Sequence, residues 1–201
     1  MILLLPDFIG HPGCFQPLMQ RLKSPFQTIN YHSLPRTCTM PSMAEYIATR
    51  IPQPTWIIGY SFGGALGYEI CQYFRDSPHL IMVDSHIPNS SQRQIPPEQQ
   101  YQHWLTEDMQ DWISLLQELN EVRLENILHH IHLFNRWQPR QKLQRAWWIR
   151  CRDNAMPSET NWNSLINHLC CFDTHAHHHE AIKNSDVISY LTQLIHKGVL
   201  P

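Results

Sequence analysis

The sequence predicts an α/β fold in which a mostly parallel sheet is flanked by helices. Short apolar segments rich in Leu, Ile and Val recur along the chain, and segments with helical spacing separate them. One such strand, at residues 55–60, runs directly into a glycine-containing turn and then into a helix. Strands that alternate with helices at short intervals form right-handed crossovers, which give a parallel sheet covered on both faces. With 201 residues, 42% of them apolar, we expect a single domain over residues 1–201 with a substantial core.

The order of elements follows from apolar runs and from the residues that interrupt them. The predicted strands lie at residues 1–5, 26–31, 55–60, 79–84, 146–149 and 168–172. Helical spacing predicts helices at 15–22, 42–51, 162–166 and 187–195, and another that follows the third strand and ends before Pro78. The fourth strand ends on a carboxylate, Asp84.

A helical insertion is predicted between the fourth and fifth strands, at about residues 87–145. Its apolar residues recur at helical spacing, notably Leu105, Met109, Trp112, Ile113 and Leu116. We expect this insertion to form a lid over the active-site end of the sheet. Most of its apolar side chains can simply pack on the core, whereas its Trp and Met side chains can alternatively line an acyl pocket.

Charge and composition exclude several classes of partner. The formal net charge is −2 and the chain has no long basic run, so nothing indicates binding to nucleic acid or to an anionic membrane. No run approaches the roughly 20 apolar residues that a membrane span needs. Six cysteines lack Cys-X-X-Cys spacing, and the first residues lack the pattern of a secretory leader. We therefore expect reduced thiols and a cytoplasmic enzyme.

The most informative motif is Gly59-Tyr60-Ser61-Phe62-Gly63, which lies between the third strand and the next helix. In α/β-hydrolases a Gly-X-Ser-X-Gly turn presents a nucleophilic serine at a sharp bend, and small residues on either side let the strand and helix approach. The backbone N–H of Phe62 opens the helix, where it can stabilise an oxyanion. The alternative is an ordinary strand-to-helix turn without catalytic function.

A nucleophilic serine needs a histidine as base, and in this fold the histidine follows the last strand. The sequence there is Asp173-Thr174-His175-Ala176-His177-His178-His179. His175 emerges first from the strand and is the predicted base, with His177 as the alternative. His178 and His179 are interpreted as solvated loop residues. A metal site built from this cluster is disfavoured because no ligand set of typical spacing accompanies it.

Two aspartates compete to orient the histidine. Asp84 ends the strand after the nucleophile helix, and Asp153 follows the fifth strand. Both lie at the carboxyl edge of the predicted sheet, where parallel sheets assemble their active sites. The residues alone leave this choice open.

With these residues identified, the chain resembles the thioesterase domains of nonribosomal peptide and polyketide synthases over nearly its whole length. LLLPDFIGHPGCFQPL is similar to their first strand and oxyanion loop, GYSFGGALGYEI to their nucleophile segment, and LIMVDSHIP to the strand that delivers their aspartate. RAWWIRCRDN, Trp162 and the Asp173-Thr174-His175 triplet resemble their late strand, tryptophan and histidine segment. One departure is Asp173, where the family usually has glycine.

The resemblance implies a function and completes the predicted site. It favours Asp84 as the acid and implies the backbone N–H of Phe8 as the second oxyanion donor. It implies a serine thioesterase that acts through an acyl-enzyme on acyl or peptidyl groups carried by the phosphopantetheine arm of a carrier protein, without a metal or dissociable cofactor. The short chain favours a discrete hydrolytic enzyme over a macrocyclising module. Two alternatives remain, a carboxylesterase and a non-catalytic binding protein with the same fold.

Overall fold

The computed structural model describes residues 1–152 and 162–197, and its centre is a six-stranded sheet in which every neighbouring pair is parallel. The strands are β1 (Ile2–Leu5), β2 (Phe26–Thr28), β3 (Trp56–Tyr60), β4 (His79–Val83), β5 (Leu143–Cys151) and β6 (Ile166–Thr174). Their spatial order is β2-β1-β3-β4-β5-β6. The chain therefore starts inside the sheet, adds β2 on one side and then adds the remaining strands on the other.

Eight α-helices accompany the sheet in the described part of the chain. They are α1 (Gln16–Met19), α2 (Met40–Ala48), α3 (Phe62–Cys71), α4 (Ser90–Gln94), α5 (Pro97–Trp104), α6 (Glu107–Glu118), α7 (Leu124–Arg136) and α8 (Ser185–Lys197). Short 3-10 helices span Pro12–Phe15, Tyr31–Ser33, Trp162–Ser164 and His178–Lys183. The last of these connects β6 to α8 and contributes to the site described below.

The two faces of the sheet are buried by different helices, as the alternation of side chains along β1 illustrates. Leu3 and Leu5 join a core that includes residues of α2, α3 and α7, whereas Ile2 and Leu4 join a second core with α1 and α8. Successive side chains of a strand point to opposite faces, so continuous apolar strands are expected where both faces are covered. This arrangement confirms the predicted fold class.

The largest differences from the predicted elements concern β5 and β6. Both strands are nine residues long, and they pair from Leu143 opposite Ile166 to Cys151 opposite Thr174. The predicted helix at 162–166 is reduced to the 3-10 turn Trp162–Ser164 because β6 already begins at Ile166. Backbone pairing extends these strands through polar residues that carry no apolar signal.

The insertion between β4 and β5 contains the four helices α4 to α7, in agreement with the helical region predicted at 87–145. Two side chains of α3 bond the segment that leads from the insertion back to the sheet. The Trp137 indole donates a 2.7 Å hydrogen bond to the Glu69 carboxylate, and the Tyr68 hydroxyl donates to the backbone carbonyl of Gln141. The pair Tyr68-Glu69 therefore anchors the end of the insertion to α3.

Two further properties concern the thiols and the helices. All six cysteines lie in described residues, and no disulfide joins any two of them. Within residues 1–152 and 162–197, no helix has the combined length and apolarity that crossing a bilayer demands.

Candidate active site

The candidate residues gather where the carboxyl ends of β1, β3 and β4 meet. Phe8 follows β1, Ser61 follows β3 and Asp84 follows β4. After β1 the chain crosses to β2 on one side and later returns to β3 on the other, so a crevice opens between the loops that leave β1 and β3. Such switch points are the usual ligand sites of open parallel sheets.

Ser61 lies on a sharp turn between β3 and α3. Its backbone has φ 53° and ψ −116°, a conformation that L-residues rarely adopt and that persists only when surrounding structure enforces it. The flanking glycines explain how the turn closes. A Cβ on Gly59 would collide with the backbone of Gly63, and a Cβ on Gly63 would collide with the carbonyl of Leu5. The Gly-X-Ser-X-Gly spacing therefore serves close backbone approach, as predicted.

Asp84 and His178 form the closest side-chain pair of the site. His178 Nδ1 lies 2.6 Å from Asp84 Oδ2, and the backbone N–H of Cys151 donates to Asp84 Oδ1 at 3.1 Å. The Asp84 carboxylate is largely buried, and its backbone is in the left-handed region with φ 44°. Both carboxylate oxygens thus have defined donors.

The charge state of Asp84 follows from these contacts. Burial alone would raise its pKa, but the hydrogen bond and charge of His178 and the bonds from Cys151 outweigh burial and hold the pKa of Asp84 below its usual value. An ionised carboxylate only accepts hydrogen bonds, so Nδ1 of His178 carries a proton. In the neutral imidazole the proton acceptor is then Nε2.

The structure brings to Asp84 a histidine other than the predicted His175 or the alternative His177. His175 and His177 are exposed and neither lines the cavity described below, whereas His178 contacts Asp84 and lines it. The physical reason is the sheet order. Asp84 lies two strands away from β6, a distance of about 10 Å at the usual strand spacing, so the first residue after β6 is still too far away. Three more residues bring the chain back across β5.

Of the other predicted site residues, the structure describes Phe8 and Phe62 but not Asp153. Asp153, the alternative acid, lies outside the described residues. Phe62 is the first residue of α3, where backbone N–H groups have no intrahelical acceptor. Phe8 lies in the loop after β1, where the N–H of Gly10 donates to the carbonyl of Asp7 at 3.0 Å. Phe8, Ser61 and Phe62 line one cavity.

This cavity has a volume of about 510 Å³. Its apolar lining comes mainly from the insertion, with Trp104, Met109, Trp112, Ile131 and Phe134. Its more polar lining includes Cys14, Gln16, His179 and Lys183. Of the apolar insertion residues at helical spacing, Met109 and Trp112 line the cavity, whereas Ile113 and Leu116 pack in the core.

Three residues of the site were not identified from the sequence. Asp7 is buried at the cavity wall, where its carboxylate accepts the N–H of Ile9 at 2.9 Å; burial raises the pKa of Asp7 to about 6. Burial likewise lowers the pKa of His86, another lining residue, to about 4. His130 of α7 bonds to the carbonyl of Phe8. In the sequence, only the position of Asp7 directly after Pro6, which follows the first strand, could have pointed to it.

Metal ligation was also considered for the histidine-rich segments. Among the described residues, no group of three or more His, Cys, Asp or Glu side chains is arranged to hold a metal ion.

Comparison with known proteins places this chain in a family. The family model described as Thioesterase domain matches residues 1–186. The chain superposes over its full length on holo-AB3403, a four-domain nonribosomal peptide synthetase, with TM-score 0.72 and 19% identity, and it spans only 20% of that chain. Among curated protein sequences, none matches.

Two thioesterases are similar along most of their length. RedJ, from the prodiginine pathway of Streptomyces coelicolor, has TM-score 0.71 and 17% identity, with 96% of this chain and 85% of RedJ covered. BorB, the type II thioesterase of the borrelidin cluster, has TM-score 0.68 and 12% identity, with 97% and 90% covered. At these identities the likeness establishes the fold, and the family match establishes membership: this chain belongs to the thioesterase domain family and is a hydrolase of acyl thioesters.

Proposed function

We propose that the chain hydrolyses carrier-bound acyl thioesters through a Ser61-His178-Asp84 triad and an acyl-enzyme intermediate. The observation that carries this proposal is the 2.6 Å contact between His178 and Asp84 beside a cavity that Ser61 also lines. A serine on a strained turn, a histidine bonded to an ionised aspartate and nearby backbone donors are the parts that acyl transfer requires.

Acylation begins when Ser61 Oγ attacks the thioester carbonyl carbon and His178 Nε2 accepts the hydroxyl proton. Asp84 stabilises the imidazolium that forms, because its carboxylate already accepts the Nδ1 hydrogen bond. The N–H groups of Phe62 and Phe8 stabilise the tetrahedral oxyanion. The intermediate then collapses, the carbon–sulfur bond breaks and His178 returns the proton to the leaving thiol.

Deacylation repeats the same steps with water as nucleophile. His178 takes a proton from water as its oxygen attacks the ester carbonyl of acylated Ser61. Collapse of the second tetrahedral intermediate releases a carboxylic acid and returns the proton to Ser61 Oγ. No other reactant is consumed in this cycle.

The mixed lining of the cavity supports an assignment of the substrate's two parts. Trp104, Trp112 and Phe134 supply apolar contacts suited to an acyl chain. Gln16 and Lys183, which also line the cavity, offer polar groups suited to the amides and phosphate of a phosphopantetheine arm. The names of the similar proteins, a nonribosomal peptide synthetase and thioesterases of biosynthetic clusters, agree with such a carrier.

The test compares one acyl group on three leaving groups: a holo-carrier protein, free pantetheine and a matched oxygen ester. We expect the wild type to release the acid fastest from the carrier, then from pantetheine, and slowest from the oxygen ester. Ser61→Ala should reduce thioester turnover by at least about 10³-fold, because it removes the nucleophile.

Three outcomes discriminate the remaining possibilities. Undiminished turnover in Ser61→Ala overturns the nucleophile. A preference for the oxygen ester makes the chain a carboxylesterase with the same site. Failure of a fluorophosphonate to label Ser61 in the folded wild type indicates a binding protein that lacks a reactive serine.

A further inference from the structure

The loop that holds Phe8, residues 6–10 and here named the oxyanion loop, is fixed through its carbonyl groups. The Tyr31 hydroxyl donates to the carbonyl of Pro6 at 2.9 Å, and the Tyr31 N–H donates to that of Gly10 at 2.9 Å. Two histidines bond the carbonyls between them. His130 Nδ1 lies 2.8 Å from the oxygen of Phe8, and His32 Nε2 lies 2.6 Å from that of Ile9.

His130 has a defined tautomer and charge. A carbonyl oxygen only accepts, so Nδ1 of His130 carries the proton that it donates to Phe8. Burial lowers the pKa of His130 to about 3, against the opposing effect of the bond to Phe8, so the ring is neutral at physiological pH. The imidazole is almost fully buried, with 3% of the residue exposed, and does not line the cavity.

The insertion contacts Phe8 at two places. The carbonyl is bonded by His130 of α7, and the ring lies 5.3 Å from that of Trp104, the last residue of α5. Both helices also supply the cavity wall, with Trp104 from α5 and Ile131 and Phe134 from α7. The residue proposed as oxyanion donor is therefore held by the same helices that shape the acyl pocket.

We propose that His130 is a positioning residue that orients the Phe8 peptide for oxyanion stabilisation and so couples the insertion to catalysis. The proposal rests on the oxyanion role given to Phe8 under Proposed function. The physical basis is preorganisation: a donor aids catalysis only if it is already aimed at the position where charge develops, and misplacement by about 1 Å is costly. The N–H and the carbonyl of Phe8 lie on either side of its Cα. Because His130 bonds the carbonyl, it restricts the backbone rotation that would move the N–H.

The test uses three substitutions of His130. His130→Phe keeps a planar ring but removes the donor, His130→Asn keeps an N–H donor near the Nδ1 position, and His130→Gln places its amide one bond farther away. His132→Asn is the matched control, because His132 is exposed on the same helix. We expect His130→Phe and His130→Gln to lower kcat about 10- to 100-fold with KM changed less than twofold, and His130→Asn to stay within about threefold of wild type.

Two inhibitors separate positioning from general damage to the pocket. An acyl trifluoromethyl ketone forms a tetrahedral oxyanion on Ser61, whereas the matching thioether lacks the carbonyl. We expect the ketone's affinity to fall in parallel with kcat and the thioether's affinity to change less than twofold. If His130→Phe does not fold, the comparison of His130→Asn with His130→Gln gives the same answer, since the two differ only in reach.

Any of three results overturns the proposal. The two inhibitors lose affinity equally, kcat is unchanged in His130→Gln, or His130→Asn loses as much kcat as His130→Gln. Failure of the proposed function gives a different result from failure of this proposal. If the proposed function is wrong, the wild type does not hydrolyse acyl-pantetheine. The affinity for the ketone and the rate at which a fluorophosphonate labels Ser61 still report on His130 in that case.

Discussion

The Tyr60 hydroxyl donates a 2.6 Å hydrogen bond to the backbone carbonyl of His178. The two residues are 118 positions apart, and Tyr60 directly precedes Ser61. Their rings also lie 5.5 Å apart, and Tyr60 is buried. The strand that presents the proposed nucleophile therefore also fixes the loop that presents the proposed base.

We predict that Tyr60→Phe reduces both catalysis and stability. The substitution keeps the ring and its contact with His178 but leaves the carbonyl without this donor, which costs about 1 to 3 kcal/mol if the group stays buried. Loosening the loop should misplace the base and lower kcat about tenfold. Thioester turnover and urea unfolding measure the two effects.

Tyr73→Phe is the matched control for this prediction. The Tyr73 hydroxyl also donates to a backbone carbonyl, that of Pro41 at 2.9 Å, but Tyr73 is exposed and does not line the cavity. It should leave kcat within about twofold of wild type. Equal kcat values for the two variants would show that the bond to His178 does not matter for catalysis.

The histidine assignment gives a second prediction. His178→Asn should lower kcat by about 10³-fold or more, because it removes the proton acceptor paired with Asp84. His175→Asn and His177→Asn, at exposed residues outside the cavity, should each stay within about threefold of wild type. Single-turnover release of acid from an acyl-pantetheine measures all three.

Circular dichroism and the unfolding midpoint of each variant serve as controls, since a folding defect would also lower turnover. A loss confined to His175→Asn would restore the sequence-based choice and remove His178 from the mechanism.

The contact of His178 with Asp84 could not be predicted from the sequence, and the reason is structural. Four of the five residues 175–179 are histidines, so residue type cannot discriminate between them. The choice depends on the path of the loop, which the Tyr60 bond, the bond from Ala176 N–H to Thr174 Oγ1 and the 3-10 helix at His178–Lys183 determine. The bond from Tyr60 is a long-range contact that no local pattern encodes.

Ser61 and the sheet were predictable for the opposite reason. The strand, the glycines and the helix around Ser61 are contiguous, so local sequence specifies that turn. The strands β1, β3 and β4 are continuous apolar runs because both of their faces are buried. The start of β5, by contrast, includes the exposed Arg145, which extends the strand beyond the predicted 146–149 only through pairing with β6.

Asp84→Asn is expected to affect both activity and the acid limit of stability. An amide in place of the carboxylate can stabilise neither the Nδ1–H tautomer nor the imidazolium of His178, and we expect kcat to fall about 10³- to 10⁴-fold. The pKa of Asp84 is lower in the folded protein than its usual 3.8. Its ionised form therefore contributes stability that is present above about pH 4 and lost as pH falls through the folded pKa.

Urea unfolding at several pH values between 2.5 and 6 measures this contribution. Wild type should lose more stability than Asp84→Asn as the pH falls. Asp153→Asn is the comparison for activity, and a larger loss of kcat in Asp153→Asn than in Asp84→Asn would move the acid to the other aspartate.

The raised pKa of Asp7 predicts that its contribution to stability depends on pH in the opposite sense. Burial raises the pKa of Asp7 to about 6, against the opposing N–H of Ile9 and charge of His178, so between about pH 4 and pH 6 the folded state holds a proton that the unfolded state has lost. Stability from this group is therefore full below pH 4 and is lost as pH rises through 6. A difference of roughly two pKa units corresponds to at most about 3 kcal/mol.

Asp7→Asn keeps an oxygen that can accept the N–H of Ile9 but cannot ionise. Its free energy of unfolding should therefore rise relative to wild type by about 1 to 2 kcal/mol between pH 4.5 and pH 8, with most of the change between pH 4.5 and pH 6. Asp76→Asn, at an exposed aspartate, is the control for the same substitution away from the cavity. A constant difference for Asp7→Asn over this range would mean that Asp7 ionises in the folded protein as easily as in the unfolded chain, and that the cavity wall is wetter than its burial implies.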